Sequence, residues 1–111
     1  MKNYAEIMRE LKEPEQKQLN QFIHVLTDKL SRMVLAKVAS PNTPICSSEL
    51  PMKSLGGSKI ATMVALHGLQ ELSLVNSKMV LREDGYHRVY HATALGRETV
   101  TQYMPYEASF F

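Results

Sequence analysis

The first forty residues carry their apolar side chains at helical spacing. Apolar residues between Tyr4 and Leu11 recur every three or four positions, which predicts a short amphipathic helix over Asn3–Lys12 that Pro14 ends. A second apolar series, with charged residues on the other side, predicts one long helix over Glu15–Ala39. The chain is therefore expected to start with two helices.

The next forty residues suggest two helices joined by a turn. Ser47 or Ser48 can cap a short helix that ends near Leu55, and two glycines follow. Ser58 can cap the next helix, which extends to Leu72. The buried side of that helix is predicted to carry Ile60, Met63, Leu66, Leu69 and Leu72. Two helices with a glycine-containing turn form a helix-turn-helix pattern.

The apolar period then changes to that of a strand. Val75–Arg82 and Tyr86–Ala92 are rich in β-branched and aromatic residues and flank Asp84–Gly85, a pair whose positive φ suits a tight hairpin turn. Thr93 can cap a last helix that Pro105 stops. The predicted fold class is mainly α with a small β-hairpin, an α+β domain with a long N-terminal helix.

Length and composition favour one compact domain. The chain has 111 residues, of which 44% are hydrophobic and 22% charged, as in ordinary globular proteins. We divide it into N-terminal helices for dimerisation and the first core helix (1–40), the helix-turn-helix and hairpin (41–104) and a short aromatic tail (105–111). No membrane-spanning stretch or secretory signal is recognisable, so a cytoplasmic location is expected.

Candidate chemistry is sparse. Cys46 is the only cysteine, which excludes an internal disulfide; it precedes a predicted helix N-terminus, where a redox-sensing thiol is the alternative to a buried structural one. His87 and His91 would lie about 13 Å apart along a strand, too far for one metal ion. Without a phosphate loop, paired carboxylates or a nucleophile motif, we expect no enzyme activity, metal or cofactor.

The second half of the chain carries a family resemblance. The run LQELSLVNSKMVLREDGYHRVYHATALGRE resembles the end of the recognition helix and the wing of MarR-like and PadR-like bacterial regulators. The matching residues are Leu69, Glu71, Leu74, Val75, Arg82, Asp84, Gly85, Arg88, Thr93 and Gly96. The resemblance covers about half the chain, Ser47–Gly96, and implies a winged helix-turn-helix. Ser73 stands where those families usually have glycine.

Such a domain implies a transcriptional regulator that binds operator DNA as a homodimer. A recognition helix meets base edges in the major groove, and a wing places basic side chains against phosphates. The predicted DNA contacts are Lys53, Ser54, Ser58, Lys59, Thr62, His67, Lys78, Arg82, His87 and Arg88. The net charge, 13 basic minus 11 acidic residues or +2, is too small to indicate nucleic-acid binding by itself.

Two further expectations concern protein partners. The long helix is predicted to project beyond the core and form a dimer seam through Leu19, Phe22, Ile23 and Leu26. In the alternative, the first helix folds back over these residues within one subunit.

The middle of the recognition helix is apolar at Met63, Val64 and Ala65, where the resembled families carry polar residues. A winged-helix protein-interaction module, such as a phage- or plasmid-type accessory factor that does not read bases, is therefore the alternative function.

Overall fold

Helices and a small three-stranded sheet make up the described part of the chain. The computed structural model describes residues 3, 5, 6, 9, 13–40, 44–50 and 58–111. Their elements are α1 Glu13–Thr27, α2 Lys29–Ala39, β1 Ile45–Cys46, α3 Lys59–Glu71, β2 Val75–Arg82, β3 Gly85–Ala92, α4 Ala94–Tyr103 and α5 Pro105–Ala108, with a 3₁₀ turn at Ser47–Glu49. A mostly helical chain with one small antiparallel sheet confirms the predicted α+β class.

Two predicted helices fall largely on residues that are not described. Of the first one, Asn3–Lys12, the structure describes residues 3, 5, 6 and 9, and Ala5, Glu6 and Arg9 are helical. The short helix predicted to end near Leu55 coincides at its start with the 3₁₀ turn, and the rest of it lies outside the described residues, as does the glycine turn.

The prediction of one long helix is wrong, because the chain breaks at Asp28. This residue has an extended backbone (φ −88°, ψ 116°) and caps α2 with its carboxylate, which accepts bonds from the Ser31 N–H at 3.0 Å and the Ser31 hydroxyl at 2.6 Å. The hydroxyl bond also lowers the pKa of the Asp28 carboxyl. The break turns α1 back against α2 and α3. Apolar spacing continues through Asp28, so periodicity does not reveal the cap.

The sheet has three antiparallel strands in the order β1–β3–β2. Val75 pairs with Ala92 at the base of the β2–β3 hairpin, and Ile45 of β1 pairs with Tyr90. These four side chains are buried and join a core built mainly from α2 and α3. The two-residue strand β1 was not predicted, because nothing in so short a segment distinguishes it from a loop.

The turn at the tip of the hairpin lies one residue earlier than predicted. Arg82 pairs with Gly85, so Glu83 and Asp84 form the turn. Gly85 has a φ of +118° and already belongs to β3. The hairpin itself is confirmed.

Helix α3 ends at a serine in the left-handed conformation. Ser73 has a φ of +58°, the only positive φ among the described residues other than glycine. Its N–H donates to the Gln70 carbonyl at 2.9 Å, and the Leu74 N–H donates to the Leu69 carbonyl at 3.0 Å. This pair of bonds is the Schellman motif, which glycine favours. The helix therefore closes with the usual geometry despite the missing glycine.

Helix α4 starts against this junction. The Thr93 hydroxyl accepts from the Gly96 N–H at 3.0 Å, which confirms the predicted cap, and donates to the Ser73 carbonyl at 2.6 Å. A Cβ on Gly96 would overlap the carbonyl oxygen of Leu74. Glycine is therefore needed here for close approach of helix and strand.

The predicted aromatic tail includes a packed helical turn. Pro105 ends α4 as predicted and then opens α5. Arg32 on α2 donates to Glu107 at 2.6 Å and to the carbonyls of Leu26 and Tyr103 at 2.6 and 2.7 Å. The guanidinium lowers the pKa of Glu107.

Within the described part of the chain, no helix has the length and apolarity that a membrane crossing requires.

Candidate binding face of α3 and the hairpin

The rotation of α3 about its axis differs from the prediction. Ser58 caps the helix as expected, with its hydroxyl accepting from the Ala61 N–H at 3.1 Å. The buried residues, however, are Thr62, Ala65, Leu66 and Leu69. Two residues predicted to be inside are exposed, Ile60 at 78% and Met63 at 36%. Apolar residues occur on nearly every side of α3, so several rotations fit the pattern and packing on its neighbours selects one.

Thr62 is therefore wrongly predicted as a DNA contact. Its side chain is fully buried, and within the described residues its hydroxyl oxygen has no hydrogen-bond partner. A buried side chain cannot reach a base edge. Lys59 and His67 do lie on the exposed side of α3, and Ser58 is exposed at its start, whereas Lys53 and Ser54 lie outside the described residues.

The register divides the hairpin side chains between two faces. Side chains alternate along a strand, so Arg88 shares a face with Ser77 and Met79, and His87 lies on the opposite one. Ser77 accepts from the Gln70 amide on α3 at 2.9 Å and from Arg88 at 3.0 Å. The face that contains Arg88 is thus the one turned toward α3.

The side of the hairpin turned toward α3 is apolar near its tip. Met79, Leu81 and Tyr86 are 52%, 68% and 71% exposed. On α3 the exposed apolar residues are Ile60, Met63 and Val64, the last at 66%. We call these six residues the apolar face.

The predicted basic contacts do not form a common surface. Lys78, Arg82 and His87 lie on the hairpin face opposite to Arg88. The alternation of side chains therefore prevents one flat stripe from joining Arg82 and Arg88.

Several of the same groups already have partners. Arg82 pairs with Glu49 at 2.8 Å, which raises the arginine pKa, and His67 lies 2.9 Å from Glu71. His87 lies 2.6 Å from Asp84, which raises the histidine pKa. Intramolecular acids thus neutralise much of the predicted basic surface.

The charges on these elements also balance. The hairpin has three basic residues, Lys78, Arg82 and Arg88, against the two acids of its turn, and Glu49 adds a third acid beside it. On α3, Lys59 is matched by Glu71. A phosphate backbone would meet little net positive charge here.

Half of the predicted dimer seam packs within the fold. Leu19, Phe22, Ile23 and Leu26 are half-buried, and Phe22 and Leu26 pack against the core. For these two residues the expectation that they extend beyond the core is wrong, because the break at Asp28 turns α1 back against α2 and α3. Intrachain packing thus provides cover for Phe22 and Leu26 that a partner was expected to supply.

A cleft separates α1 from α3. It encloses about 660 Å³, and its apolar lining includes Val25, Leu30, Val64 and Leu72. Across it, the Gln21 amide on α1 donates to Glu71 on α3 at 3.4 Å. Val64 therefore belongs both to this cleft and to the apolar face.

A second group of polar and titratable side chains lies behind the hairpin, on the face away from α3. β1 pairs Cys46 with Val89, and the Cys46 sulfur lies 3.9 Å from His87 Nδ1 and 3.3 Å from the Ser48 hydroxyl. Sequence reasoning missed this group, since it assigned His87 to DNA and Cys46 to a helix start. Cys46 comes close to His87 because β1 pairs with β3, and the sequence did not predict β1.

Comparisons with known proteins identify no family for this chain. The chain matches no protein-family model and no curated protein sequence. Among the residues placed by the structure, no three His, Cys, Asp or Glu side chains are arranged to hold a metal ion.

Proposed function

We propose that this chain is a winged-helix protein-interaction module of the cytoplasm, and that its apolar face binds another protein. The order of helices and hairpin, extended by the short strand β1, supports the winged-helix assignment. The observation that carries the function is the exposed side of α3, where a DNA reader needs polar side chains. Here that side presents Ile60 and Val64.

Burial would release substantial free energy at this face. Covering one large aliphatic side chain contributes about 1.5 to 3 kcal/mol, and clustered exposed apolar residues usually mark an interface. By contrast, DNA affinity depends on phosphate neutralisation, for which these elements offer balanced charges. The apolar contribution therefore outweighs the electrostatic one.

The face also suggests the chemistry of its partner. Lys59 begins α3, and Arg88 lies beside Met79 on the hairpin face turned toward α3; both are exposed. A matching partner presents an apolar surface bordered by carboxylates. Basic residues at a rim guide association more than they add affinity.

Paired charge substitutions test this proposal. We expect Val64→Glu to weaken the complex at least tenfold, because it places a carboxylate in an apolar interface. Leu95→Glu is the matched control, since Leu95 is half-exposed on α4, away from the face. Partners that co-purify with the parent are purified and titrated by calorimetry against the parent and both variants. Equal affinity for parent and Val64→Glu contradicts the proposal, and a captured second copy of the chain identifies self-association.

A homodimeric regulator that binds operator DNA is the second candidate. The family resemblance favours it, as do the exposed bases Lys59, Lys78 and Arg88. Fluorescence anisotropy with duplex DNA at about 50 and 200 mM salt measures it, because phosphate contacts make affinity fall steeply with salt. If affinity falls steeply, and Lys59→Ala and Arg88→Ala both weaken binding, the DNA function replaces the interaction module.

Dimerisation is tested separately by light scattering after size exclusion. A dimer built on α1 predicts twice the chain mass at micromolar concentration, and a monomeric mass excludes it. Phe22→Glu cannot serve as a dimer test, because Phe22 also packs against the core.

A further inference from the structure

We propose that Cys46 is a peroxide-reactive thiol whose proton is transferred through His87, with Asp84 as the positioning residue. The three side chains come from β1, β3 and the hairpin turn, and only the fold brings them together. A nucleophile, an imidazole and a carboxylate in this order form the arrangement that activates cysteine in proteins.

The geometry fixes which imidazole nitrogen faces the thiol. Asp84 Oδ1 lies 2.6 Å from His87 Nε2, so this nitrogen carries a proton and donates it to the carboxylate. Nδ1 is then free to face the Cys46 sulfur at 3.9 Å, the long end of hydrogen bonding to sulfur. Asp84 thus selects the tautomer that can accept the thiol proton.

A second donor stabilises the resulting thiolate. The Ser48 hydroxyl donates to the Cys46 sulfur at 3.3 Å, and this bond is the main cause that lowers the thiol pKa, with His87 adding to it. Asp84, and then Cys46, raise the pKa of His87. Both shifts favour a thiolate–imidazolium pair.

The reaction needs only a peroxide as the second reactant. The Cys46 thiol transfers its proton to His87, and the thiolate attacks one oxygen of hydrogen peroxide. The O–O bond breaks as an S–O bond forms, and the leaving hydroxide takes the proton from His87. The products are Cys46 sulfenic acid and water: sulfur is oxidised, peroxide is reduced, and His87 returns to its neutral form.

Burial restricts the oxidant to a small one. Cys46 is 5% exposed, so bulky electrophiles have little access to its sulfur. Hydrogen peroxide is close to water in size and needs no preformed cleft. A second cysteine for disulfide formation is absent from the sequence, so the sulfenic acid is the product to trap.

The test compares the folded chain with the same chain unfolded in urea. Both react with hydrogen peroxide at pH 7; the peroxide is then removed, both samples are unfolded in urea and treated with dimedone, and intact mass follows the Cys46 adduct. An ordinary thiol is about 3% ionised at this pH, so full ionisation accelerates the reaction by at most about 30-fold. We expect the folded chain to react at least about tenfold faster. A folded rate equal to or below the unfolded one would establish a merely structural cysteine and overturn the proposal.

Substitutions at His87 and Asp84 separate proton transfer from Cys46 from a general effect on packing. His87→Gln should reduce the folded rate to about that of the unfolded chain, while His67→Gln, on the exposed side of α3, should leave it unchanged. Asp84→Asn, in the exposed turn, should both slow the reaction and raise the pH at which the rate reaches half its maximum. Should His87→Gln fail to fold, Asp84→Asn decides: an unchanged pH profile contradicts the role of the His87–Asp84 pair.

Discussion

The base and the tip of the β2–β3 hairpin are stabilised by different interactions. At the base, Val75 and Ala92 are buried, Ser73 takes a left-handed conformation, and Gly96 leaves no room for a Cβ. At the tip, exposed acids and bases pair around the Glu83–Asp84 turn, and apolar side chains remain uncovered. Substitutions should therefore cost stability at the base and alter binding or reactivity at the tip.

Gly96→Ala should have the largest effect on stability. The added methyl overlaps the Leu74 carbonyl, so helix α4 must move from the sheet, and overpacking of this kind costs about 2 to 3 kcal/mol. Urea unfolding measures the loss. Gly68→Ala is the control, because a Cβ there meets no atom within 4 Å; helix propensity predicts a gain of about 0.5 to 1 kcal/mol. Equal effects of the two variants would show that the close approach is unimportant.

Thr93→Val should have the next largest effect. It removes the N-cap of α4 and the bond to the Ser73 carbonyl, for an expected loss of about 1 to 2 kcal/mol in the same assay. Thr101→Val, which removes an exposed hydroxyl bonded within α4, should change stability by less than about 0.5 kcal/mol. A loss at Thr101 as large as that at Thr93 would argue against a special role for the cap.

Ser73→Gly should stabilise the fold by about 1 kcal/mol, because glycine takes a positive φ without the steric cost that serine carries. Ser109→Gly should show the opposite sign, since Ser109 has a right-handed φ of −67°, the added backbone freedom favours the unfolded chain, and the hydroxyl bond to the Tyr106 carbonyl is lost. A stability loss at Ser73 would indicate that the serine side chain matters more than its backbone conformation.

Asp84→Asn at the exposed tip should change the urea midpoint least of these variants and should lower the pKa of His87, which NMR titration of the imidazole measures. The His87 pKa is raised, so the contribution of protonated His87 to folding stability is fully present below the ordinary histidine pKa. That contribution is lost as pH rises through the His87 pKa of the folded protein. The Asp84 pKa is lowered, so the contribution of the Asp84 carboxylate to folding stability is lost as pH falls through the Asp84 pKa of the folded protein. An unshifted imidazole titration would mean that the pair does not form in solution.

Local signals in the sequence predicted the features that depend on neighbouring residues. Ser58 and Thr93 cap the helices that follow them, and the strand-like runs around Asp84 form the hairpin. The two caps depend on bonds that span three positions, and the hairpin joins adjacent strands through a short turn, so the local sequence pattern is sufficient. The break at Asp28 is also local, but the continuous apolar series masked its capping role.

Features that depend on tertiary packing could not be predicted in the same way. The rotation of α3, which buries Thr62 and exposes Ile60, depends on contacts with α1 and α2. The approach of Cys46 to His87 joins residues 41 positions apart through a two-residue strand. Periodicity contains neither piece of information, so Thr62 was wrongly predicted as a DNA contact and the grouping of Cys46 with His87 behind the hairpin was missed.

Arg32 links parts of the chain that would otherwise open separately. One guanidinium bonds the end of α1 at Leu26, the end of α4 at Tyr103 and α5 at Glu107. A terminal helical turn ordinarily frays with almost no free-energy cost. Opening α5 here breaks a half-buried ion pair and exposes the side of α2 that carries Arg32, so the amide protons of α5 should exchange with solvent more slowly than those of an unattached helical turn.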